Sequence, residues 1–442
     1  METTPPGPRG EPLFGSSRRY ADDPFRFLSA CERAYGNIAR FDLGPMETYL
    51  VTDPETIQRI LVGEANSYRK PDFQSDALGD LLGEGLLLSE GDTWAKQRKL
   101  ANPAFSMGRL ASFDDRIVGH AESMLSDWEV GQERDVEREM THVTLDVITD
   151  LMLGTQLGEE RIRTIQESLE PLGAQFEPDP VRFAMPSWVP MPGDREYRSA
   201  LSTLESVVDD IVAERRGTEG GEDGPMDLLS ILLRAQKRGE QREEQLRDEV
   251  VTILLAGHDT TALTLTYTWY LLSEHPHARE RVHEEIDAID GQPTMDDVRE
   301  LTYTEWAIDE AMRLYPPVYT IFREPVHDVE LLGYEVAAGM SVMLPQWAVH
   351  RSQRHWDRPE QFEPERWQPE RSRDRHRFAY FPFGGGPRHC IGKHLAKLEA
   401  QLILAVVADR YELEYARDGT FDLRPSLTMH PADGMPMRLR ER

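Results

Sequence analysis

The run VTILLAGHDTTALTLTYTWYLL, residues 251–272, limits the possible folds more than any other stretch of this chain. It is long enough to cross a bilayer, for which about 20 apolar residues suffice. Yet Gly257, His258 and Asp259 stand near its middle, where ionisable groups in lipid are costly. The run therefore reads as the centre of one long helix, expected over 244–274, enclosed by other protein rather than by lipid. No membrane span is expected. Such a helix needs a large shell, and a chain of 442 residues, 39% hydrophobic with eight tryptophans, can supply one.

Helical periodicity dominates the rest. Helices are expected over 24–35, 54–62, 92–105, 110–129, 137–153, 160–172, 194–216, 227–237, 276–289, 303–314 and 391–409. Short strands fit 38–43, 48–52, 320–322, 329–332 and 341–344. The first twenty residues, rich in proline and glycine and without an apolar leader, read as an extended and partly mobile segment. Residues 21–442 read as one domain, mainly α with a small β region, with no internal repeat. The stretch 355–388 is a long loop with little periodicity, of the kind that usually carries function.

Charge excludes some functions. The formal charge is −29, which argues against nucleic-acid binding, since that needs a positive surface. Only six lysines accompany 44 arginines. Acid excess with scarce lysine points to a protein kept soluble in concentrated salt, where screening relieves self-repulsion. With only Cys31 and Cys390, a disulfide framework is excluded and a reducing, cytoplasmic setting is expected.

Cys390 lies in FPFGGGPRHCIGKH, residues 381–394. Its glycines and Lys393 invite a phosphate-loop reading, but the first glycine of that motif would fall on Pro387, and His394 replaces the required hydroxyl. The cysteine makes better sense as the centre. It precedes a strong helix pattern, so backbone N–H groups and the helix dipole can stabilise its thiolate. Gly384, Gly386 and Gly392 let the backbone fold tightly around the sulfur. The pattern Phe383-Gly384-x-Gly386-x-Arg388-x-Cys390-x-Gly392 resembles the heme-binding signature of the cytochrome P450 family, with every fixed position present. The resemblance implies heme b with Cys390 as its metal ligand, a thiolate that favours O–O cleavage. It also implies that Phe383 shields the sulfur and that Arg388 meets a heme propionate.

Other motifs fall in the family's order, over about residues 20 to 440. Ala256-Gly257-His258-Asp259-Thr260-Thr261 resembles the oxygen-activating stretch of the long helix, with Gly257 letting it pass close over the heme. The match gives Asp259 and Thr260 the catalytic proton relay, since cleaving dioxygen takes two protons in a dry pocket. A mid-helix threonine can equally bond only to its own helix. Glu310-x-x-Arg313 and Pro364-Glu365-Arg366-Trp367 match a structural clamp that holds the cysteine loop. Trp94-x-x-x-Arg98 and Arg323 match propionate-binding positions, for which arginine supplies a planar fork. The fold implied is that of a cytochrome P450, with a long central helix over the heme and the cysteine loop beneath.

The resemblance implies a heme-thiolate monooxygenase that inserts one atom of O2 into a small apolar substrate such as a lipid, fatty acid or terpenoid. Rival readings are a peroxide-driven hydroxylase and a non-enzymatic heme sensor or electron carrier. A carrier would want a second axial ligand, for which His258 is the residue to watch. With no G-x-G-x-x-G fingerprint, electrons are expected from a separate donor, an acidic ferredoxin with its reductase. Lys96, Lys99, Lys393 and Lys397 flank the thiolate side and are expected to dock it. Residues 175–193 resemble the lid over the substrate entry, with Arg182 available to a carboxylate. Phe73, Leu78, Leu82 and residues 318–321 are expected to wall the pocket, and a monomer is expected.

Overall fold

The protein is described by a computed structural model that covers residues 4–185, 189–218 and 226–442. Twelve helices of ten or more residues are found among the described residues. The first six are α1 (Pro24–Tyr35), α2 (Asp72–Leu82), α3 (Gly91–Ala101), α4 (Asp114–Leu125), α5 (Val136–Leu153) and α6 (Glu159–Ala174). The others are α7 (Asp194–Thr218), α8 (Leu228–Lys237), α9 (Glu243–Glu274), α10 (Pro276–Ile286), α11 (Thr302–Leu314) and α12 (Lys393–Arg410). Strands β1 (Ile38–Leu43), β2 (Met46–Val51), β3 (Tyr68–Arg69), β5 (Ile321–Pro325) and β8 (Ser341–Leu344) form one sheet in the order β1-β2-β8-β5-β3. Only β2 and β8 run parallel in it. Strands β4 (Glu133–Asp135), β9 (Tyr411–Tyr415) and β12 (Pro436–Glu441) form a second sheet, ordered β4-β12-β9. Two hairpins, β6 (Val329–Leu331) with β7 (Tyr334–Val336) and β10 (Leu423–Pro425) with β11 (Met429–Pro431), complete a mainly α fold with small sheets.

Helix α9 is unbroken over 32 residues, about 48 Å at 1.5 Å per residue. Its threonines would strand hydroxyls in the core, but Thr264, Thr266 and Thr268 each donate to the carbonyl four residues back, at 2.8, 2.8 and 2.7 Å. Between 251 and 272 every residue is buried except Leu255, Ala256, Gly257, Asp259 and Thr260, and Ala256 is exposed. A short window of exposure in a buried helix must open onto an internal space. No helix among the described residues is long and apolar enough to cross a membrane.

Several elements depart from the sequence expectations for local reasons. The helix expected over 92–105 ends at Ala101, and Pro103 turns the remainder into a 3-10 segment. The helix expected over 110–129 starts at Asp114, where Asp114 and Asp115 complement the positive helix end, and stops at Leu125. The segment 54–62 changes from α to a π turn at Arg59–Gly63. Helix α2, whose pattern is weak and holds Gly79, was not expected at all. Part of the N-terminal segment expected to be loose is tied down. Arg40 N–H donates to the Pro6 carbonyl at 3.0 Å, Gly15 bridges to Leu43, and a helix already begins at Ser17.

Candidate active site

A buried clamp sets the cysteine loop. Glu310 and Arg313 on α11 have no exposed side-chain surface and pair at 2.8 Å, and Arg366 joins the same carboxylate at 2.7 Å. Trp367 Nε1 donates to the second oxygen at 3.1 Å. Arg313 also donates to the carbonyls of His350, Pro359 and Gln361. His350 in turn accepts from Phe381 N–H at 3.0 Å, and Gln346 donates to the Phe381 carbonyl at 2.8 Å. The stretch 355–388, with only short helical turns in it, is thus held at one end by three fully paired charges and at the other by the loop that carries Cys390.

The loop closes when Cys390 N–H donates to the Phe383 carbonyl at 2.9 Å. Gly384 and Gly386 adopt φ of +68° and +66°, the left-handed region that favours glycine. A Cβ on Gly386 would lie 1.9 Å from the Leu61 carbonyl of the π turn, and one on Gly385 would lie 2.6 Å from the Phe378 ring. Gly392 is different. Its φ is −84°, and a Cβ there would make only ordinary contacts with Phe105 and the sulfur. The tight fold expected of all three glycines is therefore required at Gly384 and Gly386 but not at Gly392.

Cys390 has exposed surface, yet that surface faces a cavity and not bulk water. Burial pushes its thiol up, opposed by the N–H groups of Gly392 and Lys393 and by the charge of Arg98. The cavity measures about 1480 Å³ and is also lined by Ala256, Gly257, Asp259 and Thr260 of α9. That exceeds the roughly 300–1,000 Å³ of an ordinary ligand pocket, so a large planar group and a substrate can share it.

One rim of the cavity is cationic beyond what the protein neutralises. Arg323, Arg388 and Lys70 line it together, with Glu90 as the carboxylate among them. Arg388 donates to the Ser89 carbonyl at 2.8 Å, pairs with Glu90 and lies over the Trp94 ring at 4.4 Å. Arg323 has no ion pair among the described residues; it donates only to the Phe322 carbonyl at 2.8 Å. Burial and the Arg388 charge bring its pKa down to about 10. Lys70 falls to about 7, first by burial and then by Arg388, with Glu90 3.7 Å away pulling the other way. Three partly buried basic side chains against one carboxylate fit the two carboxylates of a heme, and the sulfur donor in the same cavity fits its iron. Lys70 was missed in the sequence because a lone lysine before a proline carries no motif. Arg98 bonds to His389, through its carbonyl at 2.9 Å, and so lies beside the sulfur rather than in the Arg323–Arg388–Lys70 cluster.

On the α9 side, the glycine expected to bring the helix close to the heme has a second duty. A Cβ on Gly257 would lie 2.6 Å from Ile148 Cδ1 of α5, so its bareness also permits helix–helix packing. Thr260 donates to the Ala256 carbonyl at 3.1 Å, the back-bond that any helical threonine can make. Asp259 is not hydrogen-bonded to it; the Asp259 carboxylate instead accepts from Thr428 at 2.7 Å. His258 has no exposed surface, and its Nδ1 bonds to the Leu254 carbonyl. It borders the cavity, and its Nε2 is buried without a hydrogen-bond partner among the described residues.

The walls include Phe73, Leu78, Leu82, Val318, Tyr319, Thr320 and Ile321, all cavity-lining as expected. Phe73 packs edge-to-face on Phe322 with centroids 5.1 Å apart. Of the expected lid at 175–193, residues 186–188 lie outside the described residues. Arg182, expected to be free for a carboxylate ligand, faces Asp194 at 3.7 Å. Lys397, expected to dock a partner, is engaged by Glu305 at 2.8 Å and Asp309 at 3.0 Å. Lys96 and Lys99 are exposed, and Lys393 lies over the Phe383 ring at 5.7 Å.

Comparison with known proteins agrees with this arrangement. Residues 5–435 match the family model described as Cytochrome P450. Cyclooctatin synthase of Streptomyces melanosporofaciens is 32% identical over 97% of this chain and 94% of its own length. Cyclooctat-9-en-7-ol 5-monooxygenase of the same organism is 33% identical, covering 93% and 90%. Pentalenene oxygenase of Streptomyces avermitilis is 29% identical, covering 95% and 92%. The crystal structure of the cytochrome P450DA heme domain superposes with a TM-score of 0.87 at 28% identity, covering 99% of this chain and 97% of the other. A cysteine sulfur and a bared turn of the long central helix line one cavity together with Arg323, Arg388 and Lys70, and the chain belongs to the cytochrome P450 family, a monooxygenase that carries heme b.

Proposed function

We propose that Cys390 would ligate the heme iron and that the rest of the cavity would hold an apolar, terpenoid-like substrate for oxidation. The observation that carries this reading is the shared cavity, which the sulfur of Cys390 and the Ala256–Thr260 window of α9 both line. When bound, the heme supplies the reductive activation of O2. The N–H groups of Gly392 and Lys393, with Arg98, hold the sulfur as thiolate, aided by the metal's own charge. Arg323, Arg388, Lys70 and Trp94 hold the propionates, while Phe383 and the loop backbone keep water from the sulfur. Asp259 and Thr260 supply protons on the opposite side.

The walls around Phe73, Leu78, Leu82 and Ile321 give few directional partners, which favours a hydrocarbon or mono-alcohol skeleton over an acid. The pairing of Arg182 with Asp194 argues the same way. Two relatives are named for cyclooctat-9-en-7-ol and pentalenene, substrates of that kind. An acidic ferredoxin delivering electrons at the exposed Lys96 and Lys99, with Lys393, completes the reading, as does a monomer working in the cytoplasm. A titration of the resting enzyme with polycyclic terpene alcohols and with fatty acids tests the substrate class. The alcohols are expected to drive the low-spin to high-spin shift at micromolar concentration. A shift produced by fatty acids alone would overturn the terpenoid reading.

A further inference from the structure

Asp259 does not stand alone at the cavity wall. Thr428 donates to its carboxylate at 2.7 Å and meets His430 Nε2 at 2.9 Å. His430 Nδ1 lies 2.8 Å from Glu137 Oε1, on the first turn of α5. The four groups thus form one hydrogen-bonded chain joining three elements that are far apart in sequence. Each link is braced from outside. Tyr267 of α9 donates to the Met429 carbonyl at 2.6 Å, which pins the β11 strand between Thr428 and His430. Asp135 caps Glu137 N–H at 3.2 Å and accepts from Met435 N–H at 2.9 Å.

We propose that Thr428, His430 and Glu137 are positioning residues of the proton supply, the outer half of a relay whose inner end is Asp259. This rests on the reading above, in which Asp259 and Thr260 deliver protons toward the heme. The step is a shift of protons along existing hydrogen bonds. The Thr428 hydroxyl proton moves to Asp259, and the Nε2 proton of the His430 imidazolium replaces it on Thr428, leaving a neutral imidazole whose Nδ1–H stays on the Glu137 carboxylate. The net change is one proton from His430 to Asp259, with only O–H and N–H bonds exchanged. Water then reprotonates the imidazole, because His430 lines the same cavity as Arg138, Thr141 and Gln166, and Arg138 is exposed.

The charges around the chain keep a proton available. Burial alone would push His430 down, but Asp259 and the Glu137 bond outweigh it, and its pKa lies above the ordinary histidine value despite Arg424. Burial holds the Glu137 carboxyl above its usual range, partly offset by His430, with Asp135 and Asp259 adding to the rise. Neutral His258 and Tyr267 complete the surroundings.

The test uses the heme-loaded full chain. NMR of 13C-labelled histidine follows His430: the imidazole is expected to titrate above the ordinary histidine range in the wild type and to fall back in Glu137→Gln and Asp259→Asn. In parallel, styrene epoxidation is driven either by O2 with a plant-type ferredoxin and its reductase, or by hydrogen peroxide, which brings its own two protons. In Thr428→Val the ratio of O2-driven to peroxide-driven rate is expected to fall about 10²-fold, the lower end of a positioned proton donor's contribution. Thr428→Ser is expected to restore it. An unchanged ratio in Thr428→Val, or a His430 titration indifferent to Glu137→Gln, would overturn the relay. Loss of the heme spectrum in the wild type would instead overturn the reading beneath it.

Discussion

At the scale of the residue, the outcome at each position depends on whether its partner is close in sequence. Glu310, Arg313 and Arg366 were legible because their motifs are short, and all three meet as expected. Replacing Glu310 by Ala leaves buried Arg313 without its anion and Arg366 with only Glu363 at 3.4 Å, a loss of about 3–5 kcal/mol. Urea unfolding of the variant is expected to show it, together with poor heme retention. Lys70 was illegible, since its meaning comes from Arg323 and Arg388, more than 250 residues away. Its pKa of about 7 in the chain without heme, against 10.5 in an unfolded chain, makes a pH prediction. The unfolded state binds the extra proton between those values, so the heme-free protein gains stability as pH rises from about 7. The propionates would recharge Lys70, so heme binding is expected to take up close to one proton near pH 8 and to weaken as pH rises. Calorimetry in buffers of different ionisation enthalpy measures that uptake, and Lys70→Met should abolish it.

At the scale of the element, α9 shows how periodicity and function separate. Its length and burial followed from the run at 251–272, and the exposed window fell at the residues that the family resemblance named. What could not be read was the second use of Gly257 against Ile148, or the Thr428–His430 hairpin that meets Asp259, because both depend on packing between distant segments. The same helix carries Glu249, whose Oε2 accepts from Leu86 N–H at 3.1 Å while Oε1 has no partner. Burial lifts its pKa from 4.5 to about 8. In that interval the folded state binds the proton and the unfolded state does not, so this stability is present at pH 4 and is lost as pH rises through about 8. Glu249→Gln keeps the bond to Leu86 and removes the charge. It is expected to raise the melting temperature at pH 8 and to leave it nearly unchanged at pH 4.5; scanning calorimetry at the two values decides.

At the scale of the whole molecule, the balance of helix and sheet was legible from periodicity, while the β4-β12-β9 sheet was not. Its pairing of Arg134 with Met437 closes over most of the chain, and nothing local in either segment announces the other. The charge of −29 belongs to this scale as well. If the surface is adapted to salt, the urea midpoint rises between low and molar salt as screening removes repulsion; an unchanged midpoint would contradict that. The central claim is that Cys390 and the α9 window enclose one heme held by a thiolate. The ferrous–CO spectrum tests it most directly. The account predicts a red-shifted Soret band in the wild type and its replacement by an ordinary ferrous–CO band in Cys390→His, with heme still bound. A red-shifted band that persists in the variant would contradict it.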